Sequence, residues 1–282
     1  YSQYIHDLYR FYKLNTMRHE MLDIFSLPFE IHQSHFIQIL VDDHEIIRNI
    51  AEYFFENENF NAAYQIYLTL TDQGEASQEL FEKMGYCLQK LKNCELAISY
   101  YKKAELFEVN RAWNLRKIAM CYRQLQNYTE SLKFLLEAEK LEPDNLYVQT
   151  FIGHTYLDLK EYEKALEYYY KVEFLAAENK KVLRPIAWCS FVMGKFETAK
   201  KYLERLIAED ANKYDFMNLG HVEWCLGNRQ EAIRNYKLSV NRNDNNLKLF
   251  MTSFAEDKQH LIKYGIDERE IPLMLDYLKY QL

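Results

Sequence analysis

Small side chains recur along this chain at an interval of 34 residues. Ala51, Gly85, Ala119, Gly153 and Ala187 follow one another at that spacing, and Gly220 comes 33 residues after the last of them. Twelve residues after each stands a second small residue: Ala63, Ala97, Ser131, Ala165, Ala199 and Ala232. A fixed period of this length marks a stack of identical supersecondary units, none of which can bury its apolar face alone. Two small residues twelve apart, one on each helix of a hairpin, let the backbones approach closely, and large side chains nearby fill the remaining volume. Those large positions read Phe54, Leu88, Tyr122, Tyr156, Ser190 and Glu223 three residues after the first small site, so the last two units depart from the pattern. Four residues after the second small site the series is Tyr67, Tyr101, Leu135, Tyr169, Leu203 and Tyr236. Composition agrees: seven Gly and four Pro in 282 residues are too few for a turn-dense β fold, and 24 Tyr with 17 Phe fit repeated inter-helix ring sites.

The pattern resembles the tetratricopeptide repeat, in which helices A and B alternate and carry small residues at repeat positions eight and twenty. Six units fit, at 44–77, 78–111, 112–145, 146–179, 180–212 and 213–246. The third matches best, through Ile118, Ala119, Tyr122, Ser131, Ala138 and Pro143, and the fourth follows with Ile152, Gly153, Tyr156, Ala165 and Tyr169. The resemblance implies an all-α fold, a right-handed superhelical solenoid of antiparallel helix hairpins with helical caps at both ends. Asn59, Asn93, Asn127, Lys160, Gly194 and Gly227 stand near the A-to-B corners, where Asn and Gly tolerate left-handed backbone. Pro185 should kink or shorten helix A of the fifth unit, which is also one residue short. Residues 1–43 read as an irregular helical cap or degenerate repeat, with Ile5, Leu8, Tyr12, Met21 and Phe25 at helical spacing. Residues 247–282 read as two capping helices, with Gly265 between them and Pro272 near the start of the second.

In that family, positions two, five, nine and twelve of helix A line the concave groove. Carried over residue by residue, the first two units place Glu45, Arg48, Glu52, Phe55, Glu79, Glu82, Tyr86 and Gln89 there, an acidic end. The later units contribute Trp113, Arg116, Arg123, Tyr147, His154, Lys181, Arg184, Trp188, Phe191, Tyr214, His221 and Trp224 as candidate partner-binding residues. All three tryptophans of the chain fall in this set. Large rings interleaved with Arg and Lys are what interface hot spots use. The resemblance thus implies a protein-interaction scaffold, whose partner is a peptide or helix with acidic and hydrophobic residues. Two alternatives stand beside it: the pairs Arg184–Trp188 and Trp113–Arg116 can pack on their own helices, and a bend at Pro185 can bring neighbouring helices over the rings. The carboxylate clamp of chaperone-docking members does not fit, since near Arg184 and Asn218 the required Asn is replaced by Trp188.

No catalytic, metal or cofactor site emerges. The seven glycines are too dispersed for a phosphate-cradling loop. His32 and His35, near Asp42, Asp43, His44 and Glu45, invite a metal reading, but acidic helix starts are commonly caps or solvated turns. Cys87, Cys121 and Cys189 share position ten and read as packing residues. Together with Cys94 and Cys225 they form no CxxC pair, which fits reduced thiols and a cytoplasmic location. The net charge of −7 disfavours nucleic acid, and no apolar run approaches the roughly 20 residues of a membrane helix. A start at Tyr1 without Met reads as a fragment or processed product. The alternatives to a scaffold are a regulatory segment of a larger enzyme or transcriptional regulator, or a self-association module forming homo-oligomers.

Overall fold

The computed structural model describes residues 44–209, 211–242 and 246–282; the reading of 1–43, including His32 and His35, lies outside them. Among the described residues the regular structure is helical: α1 (His44–Glu56), α2 (Phe60–Asp72), α3 (Gln78–Lys90), α4 (Cys94–Glu105), α5 (Arg111–Gln124), α6 (Tyr128–Leu141), α7 (Leu146–Asp158) and α8 (Tyr162–Leu175). After a 3₁₀ turn at Lys180–Val182 come α9 (Leu183–Val192), α10 (Phe196–Glu209), α11 (Lys213–Cys225), α12 (Arg229–Asn241), α13 (Leu247–Lys263) and α14 (Glu270–Gln281). The chain divides within α4 into two compact units, one ending at Tyr100 and the other running from Tyr101 to Leu282.

The 34-residue interval is written into the backbone at the corners. Glu58, Lys92, Gln126, Lys160, Gly194 and Gly227 all have positive φ. The N–H of the next residue in each case reaches five residues back, as in Asn93 to Leu88, Asn127 to Tyr122 and Asn228 to Glu223. This is the Schellman ending, in which a left-handed residue satisfies carbonyls the helix leaves open. The asparagines therefore sit one place later than the sequence reading expected. Asn59 and Asn127 keep negative φ and cap the following helix, accepting from the backbone N–H of Ala62 and Glu130. Four corners thus carry a non-glycine residue in left-handed backbone, at roughly 1–2 kcal/mol each, so hairpin packing outweighs that strain.

The small-residue series explains the packing. In the second unit a Cβ on Gly153 would stand 2.6 Å from Cε1 of Tyr169, and one on Gly220 would stand 2.4 Å from Cε1 of Tyr236. Tyr67, Tyr101, Leu135, Tyr169, Leu203 and Tyr236, the ring sites of the B helices, are all buried. Each fully buried side chain of this size contributes about 1.5–3 kcal/mol of transfer free energy.

The departures from the pattern are resolved locally. Glu223 is buried at a ring site, where Lys200 approaches at 2.8 Å and the Asn228 amide donates to it at 2.7 Å. Pro185 falls in the first turn of α9, where its missing N–H has no intrahelical use, and α9 is only ten residues long. Cys87, Cys189 and Cys225 carry thiols that burial pushes up to about 12, so they remain protonated packing groups.

Candidate functional site

The A helices α5, α7, α9 and α11, with the 3₁₀ turn that holds Lys181, carry the candidate residues of the second unit, and the structure separates them into an open stretch and a closed one. On α5 and α7 a run of rings and cations lies together. Tyr147 is 40% exposed and tilts against Phe151 at 4.3 Å. The Arg116 guanidinium stands over the Tyr147 ring at 5.6 Å, and that of Arg123 over Phe151 at 5.9 Å. Arg123 donates to Asp158 at 2.7 Å, and Arg116 reaches Glu142 at 3.7 Å. Met120, Arg123, Gln124, Tyr128, Phe151 and Asp158 line an open hollow of about 300 Å³.

Two further members flank this run. His154 is half-buried, its Nδ1 2.8 Å from the Tyr169 hydroxyl and its ring edge-on to Phe151. Burial, with the Arg123 charge beside it, lowers its pKa and keeps the imidazole neutral, while Asp158 works in the opposite direction. Trp113 is half-buried, edge-on to Tyr101 at 5.8 Å with the Lys117 ammonium over its ring at 5.0 Å.

The stretch on α9 and α11 is different. Trp224, His221 and Phe191 are buried, and Trp188 is half-buried with its ring edge-on to His260 of α13 at 5.5 Å. His221 is stacked against Phe191 at 6.0 Å and meets Phe254 of α13 edge-on at 5.0 Å, with its Nδ1 2.9 Å from the Tyr236 hydroxyl. The expectation that all three indoles face an open groove therefore needs correction: α13 covers this end, and Trp224 lies in the core.

Arg184 also has a different task. It binds both carboxylate oxygens of buried Asp215, Nε to Oδ1 at 2.9 Å and Nη2 to Oδ2 at 3.0 Å. Asp215 in turn accepts from the backbone N–H of Asn212, completing the capping box of α11. Lys181 and Tyr214 are exposed, and the Lys213 ammonium lies over the Tyr214 ring at 5.0 Å.

In the first unit the acidic positions are already engaged. Lys83 holds Glu52 at 2.6 Å and Glu79 at 2.7 Å, and the Tyr67 hydroxyl donates to Glu52. Among the described residues no group of three or more His, Cys, Asp or Glu side chains is arranged to hold a metal, and no helix is long and apolar enough to cross a membrane.

Comparison with known proteins identifies repeats in the middle of the chain. A tetratricopeptide-repeat model matches residues 117–145 and 147–177, and a second tetratricopeptide-repeat model matches 186–212. Residues 117–177 and 186–212 thus carry tetratricopeptide repeats. Solved tetratricopeptide-repeat structures share its fold. A protein from Parabacteroides merdae aligns over 83% of this chain and 98% of its own, at 14% identity and a TM-score of 0.62. YrrB, described as a TPR protein with an unusual peptide-binding site, aligns over 67% and 97%, at 15% identity and a TM-score of 0.57. MamA from Desulfovibrio magneticus RS-1 aligns over 61% and 99%, at 16% identity and a TM-score of 0.56. No curated protein sequence matches the chain.

Phe151, the sixth residue of α7, was not among the residues that sequence reasoning singled out. Asp158 and Asp215 were missed as partners because each lies in the unit after its arginine, 35 and 31 residues away. Only the stacking of tetratricopeptide units brings them together.

Proposed function

We propose that this tetratricopeptide-repeat chain is a non-catalytic scaffold, and that the face of α5 and α7 binds a peptide or helix of a partner protein carrying acidic and hydrophobic residues. One observation carries the reading: Tyr147 and Phe151 form a partly exposed aromatic pair, bracketed by Arg116 and Arg123 and opening on a hollow of about 300 Å³. An apolar partner side chain entering that hollow would cover Phe151 and Met120. A partner carboxylate would compete with Asp158 and Glu142 for the two guanidinium groups. Stacked aromatic and cation–π contacts of this kind contribute about 0.5–2 kcal/mol each when water is excluded. A fold shared with YrrB, whose description names a peptide-binding site, supports the reading. Five free thiols support a reducing, cytoplasmic setting.

The test is a pair of variants, Phe151→Ala and Arg123→Glu, compared with the wild-type chain in quantitative capture from the native source. Proteins retained by the wild type should fall at least about tenfold with either variant, which corresponds to about 1.4 kcal/mol. Circular dichroism should show helicity unchanged. An identical set of retained proteins at identical yield would remove this face from the account.

A further inference from the structure

The closing helix α13 plays two parts along its length. Its first half is a cap: Phe250 and Phe254 pack on Tyr236 of α12 at 5.7 and 5.6 Å, covering the last hairpin as a solenoid end requires. Its second half leaves that hairpin, crosses α11 and reaches α9. There His260 stands edge-on to Trp188, and Tyr264 donates its hydroxyl to the backbone carbonyl of Val192. Lys263 reaches the same carbonyl at 3.3 Å. With 17 residues the helix is about 25 Å long, enough to cross two helices packed roughly 8–10 Å apart. A cap needs only the first half.

The second half is held by ring edges and hydrogen bonds more than by buried side chains. Leu261 is its one fully buried residue, against Phe250 and Phe254 in the capping half. His221 is fully buried beneath it, yet its Nε2 makes no hydrogen bond, and the facing Asp257 carboxylate stands off at 3.5 Å. A buried ring nitrogen whose facing acceptor stands beyond good hydrogen-bond distance is unfavourable, and a better placed acceptor would relieve it.

We propose that the second half of α13 is an exchangeable ligand of the chain's own groove. The surface of α9 and α11 beneath it is a helix-binding face. Its partner is an amphipathic helix with a carboxylate followed three and seven residues later by two rings, as Asp257 is followed by His260 and Tyr264. In the partner complex the carboxylate closes onto His221 and the rings cover Trp188 and the Val192 turn. This rests on reading the A-helix face as a polypeptide-binding surface, and adds which stretch is held closed and by what. The presence of a helix already seated on this face favours a helical occupant over an extended one.

The experiment uses the intact chain and a fluorescent peptide of residues 247–266. When a site is occupied in cis, apparent affinity falls by the fraction of molecules with the site open, so loosening the latch strengthens binding in trans. Tyr264→Phe removes only the hydroxyl bonded to Val192, and His260→Ala removes the ring over Trp188; both keep Phe250 and Phe254. The peptide should bind each variant about fivefold more tightly than wild type, the factor that one net hydrogen bond supplies, and Trp188→Leu in the same background should abolish the gain. Equal affinity for wild type and variants, or binding to none of them, would overturn the proposal. So would binding that Phe151→Ala removes and Trp188→Leu leaves intact, a pattern that assigns the peptide to the open stretch and upholds the scaffold reading alone.

Discussion

Replacing Tyr236 by Ala should lower stability by about 3–5 kcal/mol, the range for deleting a large buried ring. Tyr236 is fully buried and meets His221, Trp224, Phe250 and Phe254 within 6.5 Å, so its removal empties a volume shared by α11, α12 and α13. Its hydroxyl is also the partner of His221 Nδ1. Tyr236→Phe separates the two contributions: it keeps the ring and forfeits the hydrogen bond, at about 1 kcal/mol. Urea denaturation followed by circular dichroism reads both. A loss below about 1 kcal/mol for Tyr236→Ala would mean that this ring does not hold the end of the stack together. The close approach of Gly220 gives a second handle on the same volume, because a Cβ there would strike the Tyr236 ring. Gly220→Ala should therefore destabilise the wild type and be better tolerated once Tyr236 is shortened, a coupling that contacting residues show and distant ones do not.

Arg184→Ala should cost about 2 kcal/mol, and Arg184→Glu more. The reason is the position of its partner: Asp215 is 2% exposed, and losing the guanidinium leaves a buried carboxylate with only the Asn212 N–H and whatever water can reach it. The arginine itself is 44% exposed, which places the loss below the range for a fully buried pair. Arg184→Met, which keeps the aliphatic stem, should recover little if the charge is what matters. Thermal unfolding of Arg184→Ala, Asp215→Asn and the double variant beside wild type makes a cycle, and a coupling near zero would show that the pair is a surface contact without structural weight. A consequence for binding experiments follows. Charge reversal at Arg184 disturbs the capping box of α11, so loss of partner capture by that variant would not report on recognition, whereas Arg123 and Phe151 lie on the open stretch.

The repeat was legible because it rests on sterics that recur every 34 residues: a small residue, a ring to fill the space above it, and a left-handed corner. Those constraints act within one hairpin and leave a periodic trace. Lys160, Gly194 and Gly227 are the left-handed corners themselves, whereas the Asn corners were read one residue late, since Asn is both a left-handed residue and an N-cap: Asn59 and Asn127 serve the second role while Glu58 and Gln126 take the strained backbone.

The site was less legible because its pairings join one unit to the next. Arg123 with Asp158 and Arg184 with Asp215 have no periodic signature, and position in a helix alone does not tell a groove cation from a structural one. The closing of the far end was not legible at all. Periodicity places α13 after the last hairpin and gives it an apolar side, but its direction depends on a contact two units back, where Tyr264 meets Gly194 and the Val192 carbonyl. Three residues that register alone assigns to a binding face, Phe191, His221 and Trp224, are buried.

Hydrogen exchange on the intact chain, with and without a partner that wild type retains and Phe151→Ala loses, tests the central claim most directly. Amides of α5 and α7, over residues 111–124 and 146–158, should exchange more slowly in the complex, while α6, α8 and α10 stay unchanged. Protection confined to those three B helices, with α5 and α7 exchanging as in the free chain, would contradict it.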